Sequence, residues 1–335
     1  MGHRKSTSVQ VGVLLTVLLF CTKLGWTKGT ITLNLSSSAE SFVLTAANST
    51  NAGNTTITAT TNWSLAPPNT LNVYAYFANS TAALTDSAGH NIPSSAFNIS
   101  DNGGAFRALT NTIPFSGTNA GLQLESIDIT PFNKNGTIND VMSFSINLTA
   151  LTQLPAATYT GTLFVQAQAA GPGGETSVPQ AITLTATLGE SLSVSLSANS
   201  VVFNLNAGNA NNAGSSPITA TTAWVLKTSR TTVALYAYFT DAGAALSDGA
   251  GDNIPSSAFS VSDNGGAFAP LTNTVGFGGA NAGIQLANTA ITSANENSSR
   301  TDAMSFNIDL TSGTLPQLPP ATYTGTLRIQ AQATP

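Results

Sequence analysis

Charged side chains are scarce in this sequence. Only 7% of its 335 residues are charged, whereas 41% are hydrophobic. A disordered chain would have fewer apolar residues and more charge, so the composition predicts a folded protein with neutral, polar outer faces. The net charge is −5, and no basic cluster follows the first few residues. This charge distribution argues against nucleic acid as a partner.

Cysteine and histidine are almost absent. Cys21 is the single cysteine, so we expect no disulfide, and His90 is the one histidine beyond residue 3. Serine–histidine–aspartate catalysis, cysteine–histidine catalysis and zinc sites with several histidines all depend on histidine or cysteine, and beyond the N-terminal segment the chain offers only His90. We therefore predict no enzyme activity and no cofactor. We also predict no catalytic, cofactor-binding or metal-ligating residues.

The N-terminal residues 1–28 have the pattern of a targeting segment. His3, Arg4 and Lys5 are basic, and residues 11–21 are nearly all apolar. A run of about 11 apolar residues is short for a bilayer span but typical of a signal peptide. Two alternatives follow: a cleaved signal peptide, or a retained anchor that would provide the only membrane association.

The remainder of the chain is a tandem duplication. Trp63 matches Trp224 161 positions later, and Tyr159 matches Tyr323 164 positions later. A period this long indicates two copies of a whole domain, because solenoid units have about 20–50 residues. We predict a first repeat at residues 29–189 and a second repeat at residues 190–335. Each is long enough to bury a core of its own.

The clearest repeated element is residues 154–169, which return as residues 318–333. After an opening with proline and small residues, the side chains alternate with a period of two, which predicts a half-buried β-strand. The face opposite Tyr159 carries Phe164 in one copy and Arg328 in the other. A position that accepts either residue is expected at the surface, so the tyrosine face should belong to the core.

Seven or eight such alternating segments occur in each copy, separated by turn signals. The predicted fold class is all-β: two tandem antiparallel immunoglobulin-like β-sandwich domains after the N-terminal signal segment. Trp63 and Trp224 should fill the two cores. Residues 101–106 and 263–268 share the sequence Asp-Asn-Gly-Gly-Ala-Phe. It predicts a hairpin turn, with the phenylalanine anchoring the next strand.

Acidic residues recur at three pairs of equivalent positions, each flanked by turn residues: Asp86 and Asp248, Asp101 and Asp263, and Asp140 and Asp302. We interpret them as turn-capping residues, in preference to the paired carboxylates of a hydrolase. Residues 248–253 resemble a calcium loop. They lack the spacing and the final glutamate of an EF-hand, and the first copy has His90 there.

Two tyrosines per copy lie on the strand face opposite the aliphatic side chains: Tyr74 and Tyr76, and Tyr236 and Tyr238. Paired aromatic rings can stack against sugars, so these residues are candidate glycan ligands. The alternative is an ordinary sheet surface or a second buried face.

The two copies differ at their C-terminal ends. An additional alternating segment, residues 181–188, follows in the first copy, whereas the second stops before any such strand. If this segment closes the first sandwich, the second has an open edge at Tyr323, Leu327 and Ile329. Open edges bind further strands, and residues 31–35 of another chain are one candidate donor. The alternatives are that 181–188 is a linker strand or belongs to the second repeat.

The run Leu-Pro-Ala-Ala-Thr-Tyr-Thr-Gly-Thr-Leu at 154–163 resembles the last strand of secreted bacterial surface modules. It is also similar to the C-terminal strand of spore-coat-protein-U and pilin-type subunits, where a turn with glycine and tyrosine precedes the final strand. The resemblance implies assembly by donated strands. The chain departs from that family in lacking a cysteine pair and in having two repeats.

These observations predict a secreted or cell-surface structural or adhesive protein without catalytic activity, with the periplasm as an alternative location. Its expected partner is another copy or another surface subunit, bound by strand addition. The alternative function is a carbohydrate-binding surface protein that contacts glycans through the paired tyrosines.

Overall fold

The structure is a computed structural model that describes residues 29–115, 118–171 and 173–335. The predicted targeting segment, with Cys21, lies outside the described residues. Within the described ranges, no helix has the length and apolar character needed to cross a membrane.

The first repeat is built almost entirely of strands. They are β1 (Thr30–Leu35), β2 (Ala39–Leu44), β3 (Asn51–Ala52), β4 (Ile57–Ser64), β5 (Asn69–Tyr76), β6 (Leu84–Thr85), β7 (Asn91–Ile92), β8 (Phe97–Asp101), β9 (Arg107–Ala108), β10 (Gly121–Ile129), β11 (Asn135–Ile146), β12 (Ala157–Ala170) and β13 (Gln180–Leu188).

The second repeat has the same succession with two gaps. Its strands are β14 (Ser191–Leu196), β15 (Asn212–Ala213), β16 (Ile218–Val225), β17 (Thr232–Tyr238), β18 (Leu246–Ser247), β19 (Asn253–Ile254), β20 (Phe259–Asp263), β21 (Ala269–Pro270), β22 (Gly283–Ala290), β23 (Asn297–Ile308) and β24 (Arg328–Thr334). Short 3-10 helices lie at Ser94–Ala96, Ser256–Ala258 and Leu315–Gln317.

Two sheets form the sandwich of the first repeat. One has the order β1-β4-β11-β8-β9, with β3 beside β11. The other has the order β10-β5-β12-β13-β2, with β6 beside β12 and β7 beside β6. The pairings are antiparallel except that of β13 with β2, which is parallel. The all-β, immunoglobulin-like sandwich architecture predicted from the sequence is confirmed.

The period of two determines which side chains fill the core. On β12, Tyr159, Leu163 and Val165 are fully buried. Phe164 on the opposite face stacks against Tyr76, with ring centroids 5.5 Å apart. The prediction that the tyrosine face of this strand belongs to the core is confirmed for the first repeat.

The two tryptophans are core residues, as predicted. Trp63 and Trp224 are buried. Each indole Nε1 donates a hydrogen bond to a backbone oxygen, that of Asn133 at 2.9 Å and that of Asn295 at 2.8 Å. The rings therefore fill apolar space without leaving their one donor unpaired.

The Asn-Gly turns form as predicted, but the phenylalanines that follow them do not anchor the next strand. Asn102 and Asn264 have φ of 49° and 50°, the left-handed conformation that a tight hairpin requires. Phe106 and Phe268 are 48% and 49% exposed, so their predicted anchoring role is wrong. The physical reason is position: β9 and β21 are edge strands and pair on one side only.

Among the described residues of the second repeat, no strands correspond to β2 and β13. Its first sheet repeats the order β14-β16-β23-β20-β21, but its second is reduced to β22-β17-β24, with β18 and β19 as a separate pair. The segments equivalent to β2 and to the first half of β12, residues 200–205 and 322–327, form no strands. In the first repeat, β13 pairs with both. Residues 181–188 therefore lie in the first sandwich, and the interpretation as a linker strand is wrong.

We predict that Leu184→Ala lowers the free energy of unfolding of the first repeat by about 2–5 kcal/mol, because it leaves a cavity in a closed core. Leu184 is fully buried on β13. Thr183→Ala is the matched control, since Thr183 is exposed on the same strand and should change stability by less than about 0.5 kcal/mol. Denaturant unfolding of both variants measures the difference. Equal effects would contradict a closing role for β13.

Candidate functional site

The candidate site is the place in the second repeat that β13 occupies in the first. In the first repeat, β13 lies between β12 and β2 and directs four buried side chains into the core: Ile182, Leu184, Ala186 and Leu188. The strand therefore completes both its sheet and its core.

In the second repeat the same place is a groove, which we call the open groove and define as the space between residues 200–205 and 322–329. It contains a cavity of about 260 Å³. Phe239, Phe259 and Met304 line it from the core, and Leu327 and Ile329 line it from the edge. The cavity is thus bordered by the side chains that a closed sandwich would bury.

Side chains that border the open groove are more exposed than the equivalent side chains of the first repeat. Tyr159, Leu163 and Val165 are 0% exposed in the first repeat, whereas Tyr323, Leu327 and Ile329 are partly exposed in the second. On the opposite border, Phe42 and Leu44 are buried, but the equivalent Phe203 and Leu205 are partly exposed. Both borders of the open groove therefore present apolar core side chains to solvent.

The predicted edge residues come together along one border of this groove. Tyr323 and Leu327 flank Gly325, and Ile329 follows on β24. Among the described residues no strand pairs with the groove side of 322–329, whereas β24 pairs with β17 on the other side. Backbone donors and acceptors on the groove side are thus available to a further strand.

The groove border keeps two local contacts that the equivalent segment makes in the closed repeat. A Cβ at Gly161 would lie 2.0 Å from the oxygen of Ala83, and one at Gly325 would lie 1.9 Å from that of Ala245. Only glycine fits either contact. The Tyr323 hydroxyl also donates to the oxygen of Pro319 at 2.9 Å, as the Tyr159 hydroxyl does to Pro155 at 2.8 Å. These local contacts hold the border in place without β13.

Residues 31–35, considered as a strand donor, are not free. They form β1, which pairs with β4 along its whole length. Ile31 and Leu33 are buried in the core of the first repeat. A donor role for this segment is wrong, because its apolar face already has a partner.

The paired tyrosines do not form an open platform. Tyr76 and Tyr238 are buried, and their hydroxyls donate to Gln166 Oε1 at 2.9 Å and Gln330 Oε1 at 2.8 Å. A phenylalanine ring covers each pair. The ring centroid of Phe115 lies 5.7 Å from the ring centroids of Tyr74 and Tyr76. The ring centroid of Phe277 lies 5.5 Å from those of Tyr236 and Tyr238. The arrangement corresponds to the alternative of a second packed face.

Two of the three recurring aspartate pairs differ sharply in their surroundings. Asp86 and Asp248 cap turns, as predicted: Asp86 Oδ1 accepts hydrogen bonds from the backbone of Ala88 and His90, and Asp248 Oδ1 accepts from Ala250. Asp140 and Asp302 are different, because both are 0% exposed and lie inside long strands. Interpreting these two as turn caps is wrong.

Asp140 lies beside two other carboxylates, those of Asp101 and Glu125. Burial, together with the negative charges of Asp101 and Glu125, raises the pKa of Asp140 to about 7. The sequence indicated two of these residues as recurring positions. It provided no signal for Glu125, because the equivalent position in the second repeat is Ala287.

No family model and no curated protein matches the chain. Among solved structures, the CooA pilin subunit of enterotoxigenic Escherichia coli is similar to 48% of this chain over 98% of its own, at 15% identity and a TM-score of 0.31. A chain of the chaperone–tip adhesion subunit complex of the archaic Csu pili of Acinetobacter baumannii matches 90% of this chain over 99% of its own. Its identity is 11% and its TM-score is 0.34.

Other fimbrial subunits and tip adhesins match in the same range. A family 123 glycoside hydrolase of Clostridium perfringens matches 48% of this chain over 27% of its own, at 8% identity and a TM-score of 0.26. The fold itself is established by the strand pairing described above.

We predict that Leu163→Ala costs about 2–5 kcal/mol of unfolding free energy, whereas Leu327→Ala costs less than half as much. The two leucines are equivalent, but Leu163 is fully buried and Leu327 lines the open groove. Urea unfolding of the two variants, each followed by the fluorescence of the tryptophan in its own repeat, compares these costs. Equal losses would show that the groove is closed in solution.

Proposed function

We propose that this chain is a secreted or cell-surface structural or adhesive subunit without catalytic activity. In this proposal, the open groove of its second repeat binds a β-strand supplied by another subunit. Two domains, residues 29–189 and 190–335, follow a targeting segment at 1–28. The observation that carries the proposal is that β13 fills the place between β12 and β2 in the first repeat, whereas among the described residues of the second repeat the same place is the open groove.

The first repeat indicates how a strand would bind in the groove. β13 pairs antiparallel with β12 and parallel with β2. A strand in the open groove would therefore run antiparallel to residues 322–329 and parallel to residues 200–205. Its inward side chains would alternate along the strand, as Ile182, Leu184 and Leu188 do, while its outer face could be polar.

The energy available from such binding is large compared with the stability of a domain. Fully burying a large aliphatic side chain contributes about 1.5–3 kcal/mol, so the four inward residues of β13 contribute on the order of 5–10 kcal/mol. An entire domain is stable by only about 5–15 kcal/mol. The second repeat therefore has a strong tendency to acquire a strand.

The alternative of a tolerated sheet edge explains less. Natural edge strands are protected by inward charges, proline or bulges. On the groove border from residue 322 to 329, only Arg328 is charged, and it is exposed on the outer face. The inward positions carry Tyr323, Leu327 and Ile329. An edge with apolar residues directed into a cavity is better suited to binding than to protection.

We expect a labelled peptide with the sequence of β13 to bind the full chain saturably, with one peptide per chain. Binding should raise the melting temperature of the second repeat by several degrees, since the ligand stabilises only the folded state. The matched control is the same peptide with Ile182→Asp and Leu184→Asp, which keeps the backbone but cannot fill the cavity. Fluorescence anisotropy and thermal unfolding provide the measurements.

The site of binding is tested by a variant of the chain. Leu327→Asp should weaken peptide binding at least tenfold, whereas Leu163→Ala, on the equivalent strand of the closed repeat, should leave it within about twofold. Failure of the β13 peptide to bind, or equal binding of the two peptides, would contradict the proposal.

A further inference from the structure

A group of three carboxylates, which we call the carboxylate cluster, lies between the two sheets of the first repeat. Asp101 is the last residue of β8, Asp140 lies within β11, and Glu125 comes from β10 of the opposite sheet. One oxygen from each of the three lies within 4.8 Å of the others. Oxygens bound to one Ca²⁺ at about 2.3–2.6 Å are separated by at most about 5 Å, so this spacing fits a single ion.

Asp140 is the residue that requires an explanation. It is 0% exposed, and neither of its carboxylate oxygens has a hydrogen-bond partner among the described residues. Asp101 Oδ1 is likewise buried and unpaired. A buried carboxylate without a partner is strongly unfavourable, and buried charges in proteins are usually paired or coordinate a metal.

The second repeat shows what the first lacks. Arg300 stands at the position of Ile138, and its Nε donates to Asp302 Oδ1 at 2.7 Å. Asn264 Nδ2 donates to the same oxygen at 3.1 Å, and Asp302 Oδ2 is left without a partner. Ala287 replaces Glu125. The second repeat thus has a half-buried cationic side chain beside its buried aspartate, and one carboxylate fewer.

No side chain takes the place of Arg300 in the first repeat. Burial and the negative charge of Glu125 raise the pKa of Asp101, and the positive charge of Arg107 lowers that pKa by less. Arg107 is exposed, and within the described part of the chain it forms no ion pair with the three carboxylates. The negative charge of the cluster is therefore not neutralised by a protein group.

Glu125 reaches the cluster because of an irregularity in its strand. The pairing of β10 with β5 shifts by one residue between Gln123 and Glu125, as at a β-bulge. Bulges change the direction of a side chain and are common near functional sites. In the second repeat the same shift occurs, and Ala287 is a core residue. The interior direction of Glu125 therefore follows from the backbone.

We propose that the carboxylates of Asp101, Glu125 and Asp140 bind one Ca²⁺ ion between the two sheets of the first repeat, in the place that the Arg300 guanidinium has in the second. Three hard anionic oxygens fit a hard divalent cation. Water would complete the six to eight ligands that Ca²⁺ takes, and Ca²⁺ tolerates an irregular arrangement better than Mg²⁺ does. This site is independent of the open groove.

The test uses the full chain after removal of metal with a chelator, titrated with CaCl₂ in a calorimeter. We expect one ion per chain with a Kd on the order of 10⁻⁴ M, as in extracellular calcium modules. Saturating Ca²⁺ should raise the melting temperature of the first repeat by roughly 5–10 °C. A parallel titration with MgCl₂ in the same buffer tests selectivity, and it should raise the melting temperature by less than CaCl₂ does.

Two exchanges between the repeats locate the ion. Glu125→Ala with Ile138→Arg reproduces the second repeat's arrangement, and should abolish the Ca²⁺ response while the chain remains folded without Ca²⁺. Ala287→Glu with Arg300→Ile should raise the stoichiometry from one ion to two. Asp128→Asn is the control, because Asp128 is an exposed carboxylate on β10 outside the cluster. It should keep the wild-type response.

Three results would overturn the proposal. The first is the absence of heat and of any melting shift with Ca²⁺. The second is an unchanged Ca²⁺ response in Glu125→Ala with Ile138→Arg, which would place the ion elsewhere. The third is a melting temperature that rises on acidification but not with Ca²⁺, which would mean that Asp140 carries a proton instead of binding a cation.

Discussion

The structure depends most on one interaction, the insertion of β13 between β12 and β2. The described chain has no cysteine and few ion pairs, so its stability comes from apolar side chains meeting across two sheets. Of the strands in the second sheet, β13 contributes a complete row of inward residues, and it also provides the backbone partners of both neighbours. Without it, a core and two strand edges are open at once.

The two repeats show this dependence within a single molecule. With β13, residues 39–44 and 157–165 are strands and Tyr159 is fully buried. In the second repeat, residues 200–205 and 322–327 are not strands and form only isolated bridges, and Tyr323 is partly exposed. The border nevertheless keeps its glycine contact and its tyrosine hydrogen bond. Addition of a strand would thus need little rearrangement, and most of the burial energy would be available for binding.

The period of two and the long repeat made much of this predictable from the sequence. They indicated the all-β class, the core face of β12 and an open edge at Tyr323, Leu327 and Ile329. They could not indicate which neighbours β13 has, because a parallel partner such as β2 lies far away in sequence. Phe106 was misplaced because alternation does not reveal whether a strand lies at the edge of its sheet.

The carboxylate cluster was beyond sequence analysis for a related reason. Asp101, Glu125 and Asp140 come from three strands and two sheets, and a bulge directs Glu125 inward, so no local pattern connects them. A comparison of the repeats at Ile138 and Arg300 carried the necessary information, but its meaning required knowing that Asp140 and Asp302 are buried. Between two β-sheets a carboxylate must be neutralised by a proton, an arginine or a metal ion. In the second repeat Arg300 fulfils this requirement from within the chain, and that repeat is the one left open to a strand. The first repeat is closed by its own strand, and its carboxylates depend on the solution for their positive charge. Among the described residues, the first repeat thus has a core strand without a counterpart in the second, and the second has an arginine without a counterpart in the first, and the two differences can be tested separately.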